Sequence, residues 1–203
     1  MQCINGGFIH KRHDRIKDAY AKLIDEVAYD VRVEPPLEPL TGETLTRKTA
    51  NRAEGARLDI AARGFWQDGA MAFFDVRVFN PFAKTHMKSE LDKAFETAEK
   101  EKKDEYNERV IKIEHGSFTP LVLSAYGGYS RETERFMSRL ITKIAEKRDV
   151  PISVIANYVR TKLSFILVRS QVMCIRGCRK LWGHNMDILE AEVVQCVGKI
   201  RED

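Results

Sequence analysis

The sequence has few of the residues that would place it in a specialised structural class. Four cysteines in 203 residues are too few for a disulfide scaffold. No run reaches the roughly 18 apolar residues of a membrane span. Neither charge dominates, since 34 basic residues face 30 acidic ones and leave a net charge of +4, which permits nucleic-acid binding without predicting it. With 43% hydrophobic residues, the chain is predicted to be one compact globular domain of a reducing, intracellular compartment.

Hydrophobic periodicity and turn residues divide the chain into eight elements. Apolar residues three or four apart indicate helices, and alternating residues bounded by glycine or proline indicate strands. The predicted elements are a helix over 12–28, strands over 29–35, 56–66 and 70–79, a helix over 89–110, a strand over 118–125, and helices over 130–148 and 151–175. The stretch 35–55 between the first two strands is rich in proline and threonine and is predicted to be a loop.

This order predicts an α/β fold with a mixed sheet, in which an antiparallel meander is followed by a strand that returns through a crossover helix. We expect a core over 10–128 and a helical extension over 129–203 that packs on it. Ser89 and Ser130 are the expected N-caps of the helices that follow them. The last helix is apolar around most of its circumference, so we expect it to be mostly buried, with Gly177 as its C-cap.

Two acidic residues lie on neighbouring strands of the predicted hairpin. Asp59 is at the centre of the second strand, and Asp75 is in the third, where Arg77 shares its face because residues i and i+2 of a strand point the same way. Pairing about a turn at 67–69 makes Asp59 and Asp75 diagonal neighbours. Two such carboxylates need a cation, and Mg²⁺ prefers oxygen ligands. The pattern therefore predicts a metal site, and the alternative is an ion pair between Asp75 and Arg77.

These residues resemble the signature of the PD-(D/E)XK, or restriction-like, nuclease superfamily, whose αβββαβ core carries acids on its second and third strands. The resemblance implies a hydrolase that cleaves DNA with Mg²⁺ or Mn²⁺ held by Asp59 and Asp75. It also implies a glutamate from the first helix, for which Glu26 is the best-placed candidate and Glu34 the next. Arg77 stands where the superfamily has lysine.

That departure leaves two possibilities open. Arginine stays protonated and is a poor proton shuttle, although it can still stabilise negative charge. Either the catalytic lysine has moved, with Lys102 on the charged helix as the candidate, or the site is impaired. An impaired domain would bind nucleic acid or serve as a structural or interaction module. The basic residues expected to contact phosphates are Lys102, Lys103, Arg109, Arg131 and Arg135.

A narrower resemblance covers most of residues 12–178. The stretches "RHDRIKDAYAKLIDEVAYDVRVEPPLEPLTGE", "GARLDIAARGFW", "AFFDVRVFNP" and "EHGSFTPLV" are similar to segments at the C-terminal ends of transposable-element open reading frames, often beside a reverse transcriptase. The resemblance implies a segment of a mobile-element (retrotransposon) protein with a reverse transcriptase-like region in the parent chain. It also implies a nuclear location if the protein acts on chromosomal DNA.

The cysteines offer a different metal site. Cys174, Cys178, His184 and Cys196 together carry three sulfurs and one nitrogen, a donor set typical of zinc. Their spacing is irregular, and cysteines that are simply buried are also common. Both interpretations remain open from the sequence.

Overall fold

The fold is a four-stranded mixed sheet with four helices. A computed structural model describes residues 7–37, 56–83, 86 and 90–177 of the chain. Its elements are α1 (Phe8–Asp25), β1 (Tyr29–Val33), β2 (Ile60–Arg63), β3 (Met71–Phe79), α2 (Leu91–Lys112), β4 (Ser117–Ser124), α3 (Arg131–Arg148) and α4 (Ile152–Gly177). This is the predicted order, and the α/β class with a mixed sheet is confirmed.

The strands lie in the order β1-β2-β3-β4. β1 and β2 are antiparallel, β2 and β3 are antiparallel, and β3 and β4 are parallel, so α2 is the crossover connection. Pro120 lies within β4, where it pairs opposite Asp75. A residue without an N–H is tolerated there because β4 is at the edge of the sheet.

The helices cover the two faces of the sheet unequally. α1 and α3 pack on one face, and α4 packs against both of them. Four aromatic rings form a cluster in the core on this face: Tyr20, Phe65, Phe74 and Phe136. Phe65 stacks on Phe136, and the other contacts between these rings are edge-to-face. Residues on both sides of the predicted division at 128 contribute to this core. Of the described helices, α2 is the one that covers the other face, with Tyr106 among the residues of a smaller core.

The hairpin register differs from the prediction by two residues. β2 pairs with β3 from Ile60↔Phe74 to Arg63↔Met71, so a longer loop replaces the turn at 67–69. The reason lies in Phe65, which leaves the strand and is fully buried among the aromatic residues. Asp59 consequently lies directly before β2 rather than at its centre. A shift of two residues preserves the face of each side chain, whereas a shift of one would have reversed it.

The helix ends are partly as predicted. Ser130 is the N-cap of α3, and its hydroxyl accepts a hydrogen bond from the backbone N of Thr133 at 3.4 Å. α2 begins at Leu91, so Glu90 rather than Ser89 has the N-cap position, and Ser89 lies outside the described residues. Gly177 is the last residue of α4 instead of a cap beyond it.

The prediction that α4 is mostly buried is wrong. One stripe, which includes Ile155, Val159 and Leu163, is buried against the neighbouring helices. The opposite side is exposed, and Phe165 there has 63% of its surface accessible. The helix is apolar around its circumference because it carries two apolar stripes, and the described residues bury only the first.

Candidate functional site

Asp75 lies on β3 under α2 and pairs with a lysine of that helix. Its residue surface is only 5% exposed, and its Oδ2 is 3.0 Å from Nζ of Lys102. The same ammonium is 3.6 Å from Oε2 of Glu105 and lies over the ring of Tyr106. The structure therefore brings together two of the residues that the sequence singled out, one from a strand and one from the crossover helix.

Burial and charge act in opposite directions on this pair. Burial raises the pKa of Asp75 to about 6, aided by the nearby charge of Asp59 and opposed by Lys102 and His13. Burial would lower the pKa of Lys102, but the carboxylate of Asp75 outweighs it and the pKa is raised. Both groups are thus mainly ionised at pH 7. Oε1 of Glu105, beside them, is buried and accepts no hydrogen bond from the part of the chain that the structure describes.

Asp59 approaches the same strand from the other side of the hairpin. Its Oδ2 accepts hydrogen bonds from the backbone N of Val76 at 2.6 Å and from Nε2 of His13 at 3.0 Å. Nε2 of His13 is also 2.9 Å from the carbonyl oxygen of Val76. Because both neighbours of Nε2 are acceptors, this nitrogen carries the hydrogen and donates it.

His13 was not among the residues predicted from the sequence. Burial alone would lower its pKa, but the hydrogen bond and charge of Asp59 raise it to about 9. The ring is therefore an imidazolium at neutral pH. It extends from α1 over the backbone of Val76, so that a cation lies against Asp59 just as Lys102 lies against Asp75.

The oxygens around Val76 of the inner strand β3 have the chemistry of a magnesium site. The carboxylates of Asp59 and Asp75 and the carbonyl of Val76 are hard oxygen donors, and Mg²⁺ binds through one or two carboxylates while it keeps several waters. Among the described residues, no group of three histidine, cysteine or acidic side chains is arranged to hold a metal. The donor set therefore fits a largely hydrated ion and not a closed cage.

Arg77 and the two glutamate candidates have other partners. Nη1 of Arg77 is 2.7 Å from Oε2 of Glu101, so the ion pair between Asp75 and Arg77, the alternative to a metal site, is replaced by two separate pairs with α2. Glu34 donates its backbone N–H to the carbonyl of Asp59 at 2.9 Å, and its carboxylate pairs with the ammonium of Lys17. Glu34 therefore lies beside the site.

Glu26 lies elsewhere, and its assignment as a metal ligand is corrected. It is the C-cap of α1, and its Oε2 is 2.5 Å from Nη2 of Arg148. His13 is near the other end of that helix, about 20 Å away at 1.5 Å per residue. The sequence pattern identified the helix correctly but could not indicate which of its ends faces the acids.

The predicted phosphate contacts all lie within the described residues, whereas only part of the predicted zinc site does. Arg109 is buried, so it is not available for phosphate on this surface, whereas Lys102 pairs with Asp75 and keeps 20% of its side chain exposed. Arg131 and Arg135 are exposed at the start of α3, and Lys103 pairs with Glu132 at 3.0 Å. Of the zinc candidates, only Cys174 is within the described residues, where it is buried in α4; Cys178, His184 and Cys196 lie outside them.

Comparisons with known proteins do not assign a family. No protein-family model matches the chain, and no curated protein matches it either. None of the described helices is long and apolar enough to cross a membrane. A function for the chain therefore has to be argued from the geometry at Asp59 and Asp75.

Proposed function

We propose that the chain is a metal-dependent endonuclease that hydrolyses DNA phosphodiester bonds with Mg²⁺ or Mn²⁺. The observation that carries the proposal is the meeting of Asp59 and Asp75 on either side of Val76, with Lys102 at 3.0 Å from the second acid. The order of helices and strands supports it, because restriction-like nucleases have an αβββαβ core with acids on its second and third strands.

Each residue would have a separate role. Asp59, Asp75 and the carbonyl of Val76 would hold the metal, which polarises a phosphoryl oxygen and makes a bound water more nucleophilic. Lys102 would stabilise the negative charge that develops on the phosphate, since Asp75 keeps its ammonium protonated. Arg77, held by Glu101, would add positive charge on the same face without transferring a proton.

One observation favours a second candidate, a nuclease-fold domain that binds nucleic acid or a protein partner without cleaving. Both carboxylates already have a cation from the protein, because His13 lies against Asp59 and Lys102 against Asp75. Nε2 of His13 lies between Oδ2 of Asp59 and the oxygen of Val76, two of the three oxygens that a metal would use. Metal binding therefore requires this ring to move.

A plasmid-nicking assay separates the two candidates. The purified chain is incubated with supercoiled plasmid and Mg²⁺ or Mn²⁺, and with a chelator as the blank. We expect nicked circles from the native chain and from Asp68→Asn, an exposed acid in the loop between β2 and β3. We expect none from Asp59→Asn or Asp75→Asn, with circular dichroism to show that both fold.

Each other outcome has a definite meaning. Nicking that persists in both acid variants would contradict the proposed site. A lack of nicking, combined with plasmid retention on a gel that weakens steeply as salt rises, would favour the binding domain. If neither nicking nor retention is observed, a protein-interaction module is the better description.

The narrower resemblance adds a biological setting to the proposal. The similar stretches, which include "GARLDIAARGFW" and "AFFDVRVFNP", support a role as part of a mobile-element protein that opens a chromosomal target site in the nucleus. A nuclease with that role should cut preferred positions. Mapping the nicked ends on a long DNA would test this, and random ends would contradict it.

A further inference from the structure

α3 carries a basic residue at every fourth position along its whole length. The row, called the basic ridge from here on, consists of Arg131, Arg135, Arg139, Lys143 and Lys147. Residues four apart are neighbours on a helix surface, so the ridge is continuous and about 24 Å long at 1.5 Å per residue. Three successive members turn only about 80° around the helix axis, so the three arginines share one face of α3.

The positive charge of the ridge is poorly balanced by acids. Arg131, Arg135 and Arg139 are all exposed, and Nη1 of Arg135 is 3.7 Å from Oε1 of Glu132, an oxygen that Lys103 approaches to 3.0 Å. Within the described part of the chain, Arg131 and Arg139 pair with no acid. Like charges four residues apart destabilise a helix. The row is therefore better explained by a negatively charged ligand than by the stability of α3.

The two halves of the ridge have different environments. Lys143 donates from Nζ to the carbonyl oxygen of Gly64 at 3.1 Å, and Lys147 donates to that of Glu26 at 2.6 Å. These contacts tie the C-terminal half of α3 to the connection after β2 and to the end of α1. The arginines of the other half are exposed, so that half is available to a ligand.

The arginine half begins beside the candidate site. The backbone N of Glu132 donates to Oε1 of Glu99 at 2.9 Å, and the carboxylate of Glu132 is 3.0 Å from Nζ of Lys103. Lys103 directly follows Lys102, which pairs with Asp75. The N-terminus of α3 also adds the positive end of its helix dipole at this point. A polyanion that reaches the acids from this side therefore meets the ridge next.

The ridge has the chemistry of a contact to double-stranded rather than single-stranded DNA. Sites for single strands add aromatic rings on which bases stack, but Phe136, the one aromatic residue of α3, is fully buried. Arginine binds phosphate through its planar fork of N–H groups. A straight row of about 24 Å follows roughly two thirds of a duplex turn of about 34 Å.

We propose that the basic ridge binds the phosphate backbone of double-stranded DNA next to the cleavage site, with Arg131, Arg135 and Arg139 as the contacts. The choice of DNA as the partner rests on the proposed nuclease function. Binding through the ridge needs no metal, however, so it is measured with a chelator present and does not depend on cleavage.

The salt dependence of binding tests the proposal. Fluorescence anisotropy of a short labelled duplex compares the native chain with the triple variant Arg131→Gln, Arg135→Gln and Arg139→Gln. The matched control is Arg32→Gln, Lys112→Gln and Arg160→Gln, which removes the same charge from exposed positions elsewhere. Each phosphate contact contributes about −0.9 to the slope of log affinity against log salt. The slope should therefore become less steep by about 2.7 in the ridge variant and stay native in the control.

The change in slope corresponds to a measurable change in affinity. Between roughly 50 and 200 mM salt, the affinity of the native chain should fall about 40-fold more than that of the ridge variant. Glutamine favours helices, and its substitution relieves like-charge repulsion, so circular dichroism should show a native fold.

Modification of arginines by phenylglyoxal gives a second, local measurement on the native chain. The duplex should protect Arg131, Arg135 and Arg139, as located by peptide mass mapping. Arg32 and Arg160 should react as they do without DNA.

The other outcomes would overturn the proposal. Equal changes of slope in the ridge and control variants would assign binding to net charge alone. Equal protection of Arg32 and Arg160, protection of the ridge by a single strand as strong as by the duplex, or a lack of duplex binding would refute it as well. Plasmid nicking that persists with any of these results would leave the nuclease proposal standing, whereas ridge binding without nicking would refute only the nuclease.

Discussion

His13 is expected to make the stability of the protein depend on pH, and the substitution His13→Gln is expected to remove most of this dependence. Its pKa is about 9 in the folded chain, against 6.5 when the ring is free. Because the folded pKa is the higher one, the contact with Asp59 stabilises the folded chain fully below about pH 6.5. This stabilisation is lost as the pH rises through about 9. The free energy of unfolding should fall by up to roughly 1.4 kcal/mol per pH unit in this window, or about 3 kcal/mol in total.

Urea unfolding followed by circular dichroism at half-unit steps from pH 6 to 9.5 measures this slope. His13→Gln keeps an N–H for the carboxylate but cannot titrate, so its stability should lose most of the slope. His10→Gln is the control, because His10 is exposed on the same helix. The other ionisable groups are the same in all three proteins apart from His10, so the differences between them report His13. Salt should reduce the effect, because 30% of the ring is exposed. A native slope in His13→Gln would refute the assigned contact.

Further substitutions test the other buried polar contacts, again by urea unfolding at pH 7. Lys102→Met leaves Asp75 buried without its cation and should destabilise by about 3 kcal/mol; Lys103→Met, on a more exposed pair, should change stability by less than about 1 kcal/mol. Combining Lys102→Met with Asp75→Asn should recover at least half of the loss, and a purely additive result would contradict the pairing. Thr133→Val removes a hydroxyl that bonds the backbone of β4 and should destabilise by about 1–3 kcal/mol. Ser138→Ala, at an exposed position, should stay within about 0.5 kcal/mol, and equal losses would contradict the buried role.

The sequence carries a local signal for both cations of the site, Lys102 and His13. Lys102 falls four residues from both Ala98 and Tyr106, so it lies on the apolar stripe of α2 that faces the sheet. His13 is likewise three residues before Ile16, on the buried stripe of α1. A polar residue within an apolar stripe is a local signal, but its partner is not. Asp59 lies 46 residues from His13, and only the tertiary fold shows that they meet.

The errors in the predicted fold have a similar origin, because they also concern contacts that the local sequence does not specify. Alternation along 56–66 indicated one long strand, whereas Phe65 is withdrawn from it into the aromatic core and β2 keeps only four residues. Alternation of apolar and polar residues along the chain does not indicate which side chain leaves the strand to pack in the core. In α4, the composition showed that both sides are apolar but not that the described part of the fold buries only one.

The contact between α1 and α4 has a consequence for the order in which the protein folds. Ile16 and Ile155 belong to one core, although 138 residues separate them in the chain. At synthesis rates of about 5–20 residues per second, the apolar side of α1 waits roughly 7–28 seconds for its partner. During that time the nascent chain exposes a surface that chaperones bind. Chains interrupted before α4 should therefore aggregate, even though they already contain every strand of the described sheet.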